Sequence, residues 1–448
     1  MTWLVNIAYL AAAVLYFPVL VYQWTVQKKN RRGWRQRFGR IRLPAAAGPR
    51  VWVHAVSLGE INCTPRLVRE LTAARPDLDL VVSTTTDTGF ARACQLYPSE
   101  RVFRFPLDLS WVVRRAMDRI RPDLIVLVEL EAWPNLVANA RRRGVPVAVV
   151  NGRLTARSAR RLGWAGAVAR QMFASLHWVG AQDGAIAQRF VGLGVPPDRV
   201  TVTGSLKWDT AEVADAVAGA AALEEALGLS TRTPLWVCGS TGPGEEAVIL
   251  DAYDRLVMSD HGNIRLAIVP RKPERFDEVA ALIRSRGFNC LRRSECSKRP
   301  APSPSVPEAQ ASFRNREVVL GDTMGELRKF YSLATVVFVG RSLAPMGGSD
   351  PMEVAALGKP ILCGPYMDNF AMPVAELSKG GGLSVVRECA ELADGVRTLT
   401  ADPLRAAEVG GAGKSIVLSN QGATGRSVEH LLHLIQPDSS HDLGRSSN

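Results

Sequence analysis

The chain alternates between short, continuous apolar runs and longer stretches with apolar residues at helical spacing. Runs at 51–53, 78–82, 124–128, 145–150, 177–179 and 200–202 read as strands buried on both faces. Helical patterns fill the gaps, with Leu67, Val68 and Leu71 as one example. A second series of runs lies at 235–238, 266–269, 318–320, 336–339 and 360–362, and a terminal helix is predicted from about 426 to 435. Strand, crossover helix, strand is the pattern of a doubly wound parallel sheet. The expected class is therefore α/β, with Rossmann-like domains at 49–209 and 233–435. The alanine-rich segment 210–232 reads as helix and linker, and 436–448 as a polar, disordered tail.

Polar loops follow these strands, at the edge where open α/β sheets hold their ligands. After 51–53 comes Ser57-Leu58-Gly59-Glu60, a tight turn into a helix. Glu60 is placed to accept a proton from a substrate hydroxyl. It is equally placed to stabilise the helix N-terminus through the dipole, and the stretch alone leaves both readings open. After 124–128 come Glu129, Glu131 and Trp133-Pro134, with the proline suited to a first helical turn. Asn151 to Ser158 offers Arg153 and Arg157, and Thr203 to Asp209 offers Lys207. Together these residues describe a polar, mixed-charge site for a hydroxyl-rich, partly anionic substrate.

In the second half, Gly239 to Glu246 is a glycine-rich turn into a helix, able to cradle phosphate. It is neither a Walker A loop nor a dinucleotide fingerprint. Pro270-Arg271-Lys272-Pro273-Glu274-Arg275 puts three cations after a strand, for a phosphate or for solvent. Gly347-Gly348-Ser349-Asp350-Pro351-Met352-Glu353 is another glycine turn into a helix, and Glu353 there can accept both hydroxyls of a ribose. Serines and prolines between 294 and 310 suggest a mobile loop.

Charge changes the picture at the amino terminus. Net charge is +12, and residues 28–42 supply +8 of it through Lys28, Lys29, Arg31, Arg32, Arg35, Arg37, Arg40 and Arg42. The +4 left over does not describe a nucleic-acid-binding surface. Just before this cluster, residues 3–24 carry no charge and are interrupted by Asn6, Pro18 and Gln23. At 1.5 Å per residue the run suffices for a bilayer core of about 30 Å. The expectation is an uncleaved membrane anchor at 1–25 and a basic segment and linker at 26–48. The positive-inside rule then places the domains on the cytoplasmic side, with the cations on anionic head groups. Seven irregularly spaced cysteines suggest neither a zinc site nor a disulfide framework.

Two Rossmann-like units with polar ligand edges suggest the GT-B plan of sugar-nucleotide transferases, with a cleft between the domains, the acceptor on the first and the nucleotide on the second. Such enzymes need no metal when cations and helix dipoles stabilise the leaving group. The motifs HAVSLGE (54–60), PLDL (106–109), ELEAWPN (129–135), NGRLTARS (151–158), TGSLKWD (203–209), PRKPERF (270–276), GDTMGEL (321–327) and GGSDPMEV (347–354) go further. In this order they resemble the bacterial Kdo transferases of lipopolysaccharide synthesis, Kdo being 3-deoxy-D-manno-octulosonic acid.

The resemblance implies inverting transfer of Kdo from CMP-Kdo to a primary hydroxyl of a lipid A precursor, at the cytoplasmic face of the inner membrane. It makes Glu60 the general base, and gives Glu129 and Lys207 roles in transition-state stabilisation. It assigns CMP binding to Pro270, Arg271, Met324, Gly325, Glu326, Asp350, Pro351, Met352 and Glu353. It implies no cofactor and no metal. The chain departs from the family where histidine is usual at Gly242, Lys272 and Ser349, where asparagine is usual at Asp350, and at Arg341. All fall in the second domain and leave open a different nucleotide-sugar donor. A non-catalytic membrane scaffold is the remaining alternative, which retention of Glu60, Glu129, Lys207 and Arg271 opposes.

Overall fold

A computed structural model describes residues 3, 5–7, 9–11, 14, 17, 32–130, 133–229, 233–258, 263–296 and 316–435. The chain divides into two compact units, residues 1–210 with 420–448, and residues 211–419.

The first unit is built on seven strands: β1 (Arg50–His54), β2 (Asp79–Thr84), β3 (Val102–Arg104), β4 (Leu124–Val128), β5 (Val147–Gly152), β6 (Trp178–Ala181) and β7 (Val200–Val202). All pair in parallel, in the order β3-β2-β1-β4-β5-β6-β7. Side chains alternate across the sheet. Trp52, Ile125, Leu127 and Val149 enter one apolar core, while Val51, Val53, Val126 and Val150 enter the other. Burial on both faces is why these strands read as unbroken apolar runs.

The second unit repeats the plan with β8 (Leu235–Thr241), β9 (Arg265–Pro270), β10 (Asn289–Arg292), β11 (Glu317–Leu320), β12 (Val336–Val339), β13 (Ile361–Cys363) and β14 (Leu383–Val385). Its parallel order is β10-β11-β9-β8-β12-β13-β14. In each sheet the direction of winding reverses once, between β1 and β4 and between β8 and β12. Those two switch points are where an open sheet opens a crevice for ligand.

Two expected boundaries are corrected. The terminal helix, Ala423–Ile435, belongs to the first unit, where Ala423, Leu431 and Ile435 complete the core around Val51 and Leu67. Asp209 fastens it, accepting the Gly422 N–H at 2.7 Å and the Thr424 N–H at 2.5 Å. The supposed linker 210–232 joins the second unit from residue 211 onward, where Lys414 pairs with Asp215 at 2.6 Å and Arg328 pairs with Glu212.

The expected anchor at 1–25 lies mostly outside the described residues, as do the start of the basic segment, 297–310 of the serine-proline loop and the 436–448 tail. Among the described residues no helix is long and apolar enough to cross a membrane.

Candidate active site

The switch point of the first sheet holds two carboxylates. Glu60 follows β1 and Glu129 follows β4. Ser57 caps the helix Leu58–Asn62, its Oγ accepting the Glu60 N–H at 3.4 Å and donating to Glu60 Oε1 at 2.8 Å. The Val56 N–H donates to Glu60 Oε2 at 2.7 Å. This is a capping box displaced by one residue, so Glu60 does stabilise its helix. Yet its side chain is buried, and the burial pushes its pKa up. Hydrogen bonds from Val56 and Ser57 oppose the rise, and the charge of Glu129 adds to it. A carboxylate with raised proton affinity beside a second carboxylate is what a general base for a hydroxyl needs.

Glu129 is half-buried and held at φ +63°, a left-handed conformation for a residue with a side chain. Such a residue is strained by about 1–3 kcal/mol and persists only when its surroundings fix it. Here its N–H donates to Val150 O at 2.9 Å, and Trp133 at the far end of the loop packs on Phe105, ring centroids 5.5 Å apart. Phe105 also stacks on His54 at 3.9 Å. Burial drives the His54 pKa down to about 3, so its ring is neutral and belongs to the packing beneath the site. Glu131 lies outside the described residues.

Lys207 is half-buried in the loop after β7. Buried Asn151, also left-handed at φ +55°, holds that loop, its Oδ1 accepting the Leu206 N–H at 3.1 Å and the Ser205 hydroxyl at 3.3 Å. Arg153 and Arg157 are exposed.

Beside this site lies a cavity of about 1030 Å³, lined by Arg32, Arg35, Arg40, Arg42, Arg104 and Arg119, with Asp87 as its acid. Asp87 pairs with Arg104 at 2.5 Å. One helix, Asp87–Leu96, joins cavity and carboxylates. Phe90 faces the cavity, while a Cβ at Gly89 would make ordinary contact with the Ser57 carbonyl carbon at 3.4 Å but stand only 2.5 Å and 2.8 Å from the hydroxyl oxygens of Thr84 and Thr86. Glycine permits that close approach.

The switch point of the second sheet differs from expectation. The Gly242 N–H of its glycine turn is already taken, together with three N–H groups of the loop after β12. Buried Glu245 accepts N–H groups from Gly242 (2.8 Å) and Arg341 (2.6 Å) on Oε2, and from Ser342 (2.7 Å) and Leu343 (2.9 Å) on Oε1. Gly242 and the 341–343 loop thus cradle the protein's own carboxylate beside the turn where a phosphate was expected. Of the three cations after β9, Arg275 is also committed, paired with buried Glu246 at 2.6 Å. Arg271 and Lys272 remain exposed.

Glu326 is engaged by Arg293 at 3.0 Å and Lys329 at 3.2 Å and accepts from Thr323; despite desolvation, these hydrogen bonds hold its pKa below the usual carboxylate range. Its neighbours Met324 and Gly325 (φ +82°) form an exposed turn. Asp350 accepts the Met352 N–H at 2.8 Å, capping a short helix that Pro351 leads into. Glu353 is exposed, within electrostatic reach of Arg328 and Arg271. Among the described residues no group of three or more His, Cys, Asp or Glu side chains is placed to hold a metal ion.

The profile of the 3-deoxy-D-manno-octulosonic-acid transferase (kdotransferase) family matches residues 32–210. The 3-deoxy-D-manno-octulosonic acid transferase of Haemophilus influenzae is 32% identical over 403 residues, 89% of this chain and 89% of that one. The enzyme of the same name from Bordetella pertussis is 33% identical over 435 residues, 92% of this chain and 95% of its own. The chain belongs to the Kdo transferase family. As a Kdo transferase it is a glycosyltransferase. A UDP-GlcNAc 2-epimerase from Neisseria meningitidis, solved bound to UDP-GlcNAc, is 14% identical with a TM-score of 0.53, covering 86% of this chain and 100% of that one. That likeness concerns the fold alone: two parallel-sheet α/β domains, as in GT-B glycosyltransferases.

Proposed function

We propose that this Kdo transferase moves Kdo from CMP-Kdo to a hydroxyl of a lipid A precursor, with inversion, and that Glu60 is the general base. The observation that carries this reading is the placement of Glu60 and Glu129, two carboxylates at one switch point, one buried with its proton affinity raised. Glu60 takes the proton of the acceptor hydroxyl as the hydroxyl oxygen attacks the anomeric carbon of Kdo, and the bond from that carbon to the phosphate oxygen breaks, CMP leaving with the electron pair. Lys207 meets the sugar carboxylate, and Glu129 favours the positive charge that develops on the sugar ring. Acceptor phosphates enter the arginine-lined cavity beside the site.

Donor binding falls to the second unit. Arg271 and Lys272 meet the phosphate, with Pro270 in the same turn. Since the carboxylates of Glu326 and Asp350 are engaged within the protein, the Met324–Gly325 turn and the Pro351–Met352 turn serve through their backbone amides, and Glu353 takes the ribose hydroxyls. No metal or cofactor enters this scheme. The apolar amino terminus anchors the enzyme in the inner membrane, domains on the cytoplasmic side, with the basic segment on anionic head groups.

The test is transfer from CMP-Kdo to a tetra-acylated lipid A precursor by the detergent-solubilised protein. Glu60→Ala should lose a factor on the order of 10² to 10⁴. Turnover with a UDP-sugar and none with CMP-Kdo would overturn the donor assignment. That second reading is favoured by one observation: Met346 fills the space beside Gly242, where the family's histidine would stand.

A further inference from the structure

The helix Pro134–Arg142, which ends the Glu129 loop, has no cap of its own. Its N-cap residue is Trp133, whose side chain makes no capping hydrogen bond. The cap comes from elsewhere in the chain. Asp108 accepts the Asn135 N–H at 3.0 Å and the Leu136 N–H at 2.8 Å, and its carbonyl accepts Asn135 Nδ2 at 2.6 Å. Asp108 and Asn135 are both buried. Burial pushes the Asp108 pKa up to about 7, against the hydrogen bonds from Asn135, Leu136 and Tyr9.

Two residues of the amino-terminal apolar run close this node. Tyr9 donates to Asp108 Oδ2 at 3.2 Å. Asn6 donates to Ser110 Oγ at 2.7 Å and accepts from the Ser110 N–H and from Asn135 Nδ2, both at 3.1 Å. Asn6 and Tyr9 stand three apart in helical backbone, so they share one face. Val5 lies on the same side, lining a 120 Å³ gap with Pro134 and Ala138. The apolar residues Trp3, Ile7, Leu10, Val14 and Phe17, spaced alternately by four and three, are all exposed. The described part of the run is thus turned inside out relative to an ordinary surface helix. Its polar face is docked on the domain and its apolar face is outward.

We propose that Asp108 is a positioning residue for the transfer reaction, and that the amino-terminal helix, through Asn6 and Tyr9, is a working part of the active-site scaffold as well as an anchor. The five residues from Glu129 to Trp133 span the gap between β4 and the capped helix. Glu129 is strained, so it keeps its place only while both ends of that loop are fixed. Asp108 fixes the carboxyl-terminal end. Asn6 and Tyr9 hold Asp108 and Asn135, so the seating of the helix is transmitted to Glu129. The inference rests on the transferase reading for its kinetic test and on structure alone for its second test.

The experiment uses the full-length protein in detergent micelles, where membrane recruitment no longer matters. Asn6→Ala combined with Tyr9→Phe removes all four hydrogen bonds that these two side chains make to Asp108, Ser110 and Asn135, so kcat should fall about tenfold. KM for CMP-Kdo should stay within about twofold of wild type. Ile7→Ala on the outward face should leave kcat unchanged. Amide hydrogen exchange at residues 129–130, 133 and 135–137 should quicken in the double variant and not in Ile7→Ala. A double variant with wild-type kcat and wild-type protection there overturns the proposal, as does equal loss in Ile7→Ala. An enzyme without turnover even as wild type would overturn the donor or acceptor assignment instead, and the exchange comparison would still decide the positioning role.

Discussion

Glu60 and Glu129 act on each other across the switch point of the first sheet. They come from strands β1 and β4, adjacent in the sheet although β2 and β3 intervene in the sequence. The charge of Glu129 adds to the desolvation that raises the Glu60 pKa. A general base works only when ionised, so on the role proposed for Glu60 the rate should be lost as pH falls through its pKa. Glu129→Gln removes the neighbouring charge and lets that pKa drop. The acid limb of kcat should therefore move to lower pH, while the plateau rate should fall on the transition-state role proposed for Glu129. A pH–rate profile of both proteins decides it; an acid limb that stays in place would show that the two carboxylates do not communicate.

The same shift has a consequence for stability. A carboxyl whose pKa is higher folded than unfolded contributes stability below its unfolded pKa, and loses it as pH rises through the folded value. Glu60→Gln does not titrate. Relative to wild type, the Gln variant should gain Tm on going from about pH 4 to pH 8. Thermal melts at the two pH values test this. An advantage that shrinks with rising pH would mean that the Ser57 and Val56 hydrogen bonds outweigh burial.

Much of the fold was legible because both sheets are covered on both faces. Central strands such as Leu124–Val128 then appear as plain apolar runs. Edge strands carry less of that signal. Val102–Arg104 is three residues long, Asn289–Arg292 is largely polar, and Leu383–Val385 is also three residues long; none was anticipated. Glu60 and Glu129 were legible as carboxylates after strands. What local pattern does not carry is which groups are already spent. Glu245 and Arg275 look like ligand-binding residues until their partners are seen, and the carboxylates of Glu326 and Asp350 also have partners within the protein. Asp108 gave no local sign of its role because the helix it caps begins 26 residues later. The return of the helix Ala423–Ile435 to the first unit is likewise a long-range event, decided by apolar surface left uncovered around Val51 and Leu67.

Gly242 stands where the family usually carries histidine, and the structure shows what has taken the space. A Cβ at residue 242 would meet Met346 Sδ and Cε at 2.7 Å and Arg341 Cγ at 3.2 Å. Met346 is flexible and can yield, but Arg341 is held at φ +60°, with its Nη2 on Met346 O at 3.0 Å. Gly242→His alone should therefore raise the donor KM by disturbing this pair. Combined with Met346→Ala, which vacates the space, donor KM should return to wild type or below. Steady-state kinetics on the single and double variants measure it. If the double variant is no better than the single, crowding by Met346 is not what residue 242 controls.

Glu245 tests whether the second switch point is a scaffold or a vacancy in waiting. Its carboxylate accepts four N–H groups and is almost wholly buried. Glu245→Ala leaves those donors without a protein acceptor, at about 1–3 kcal/mol for each that water does not reach. A destabilisation of about 3 kcal/mol or more is expected. Glu245→Gln should cost nearly as much, because the amide keeps one acceptor oxygen and turns an NH₂ group toward donors. Convergent backbone N–H groups form a concave anion site, so inorganic phosphate should raise the Tm of Glu245→Ala by several degrees more than that of wild type. Chemical denaturation and phosphate titration of the three proteins measure both effects. A Gln variant as stable as wild type would show that charge is immaterial there, and that the turn is held by packing.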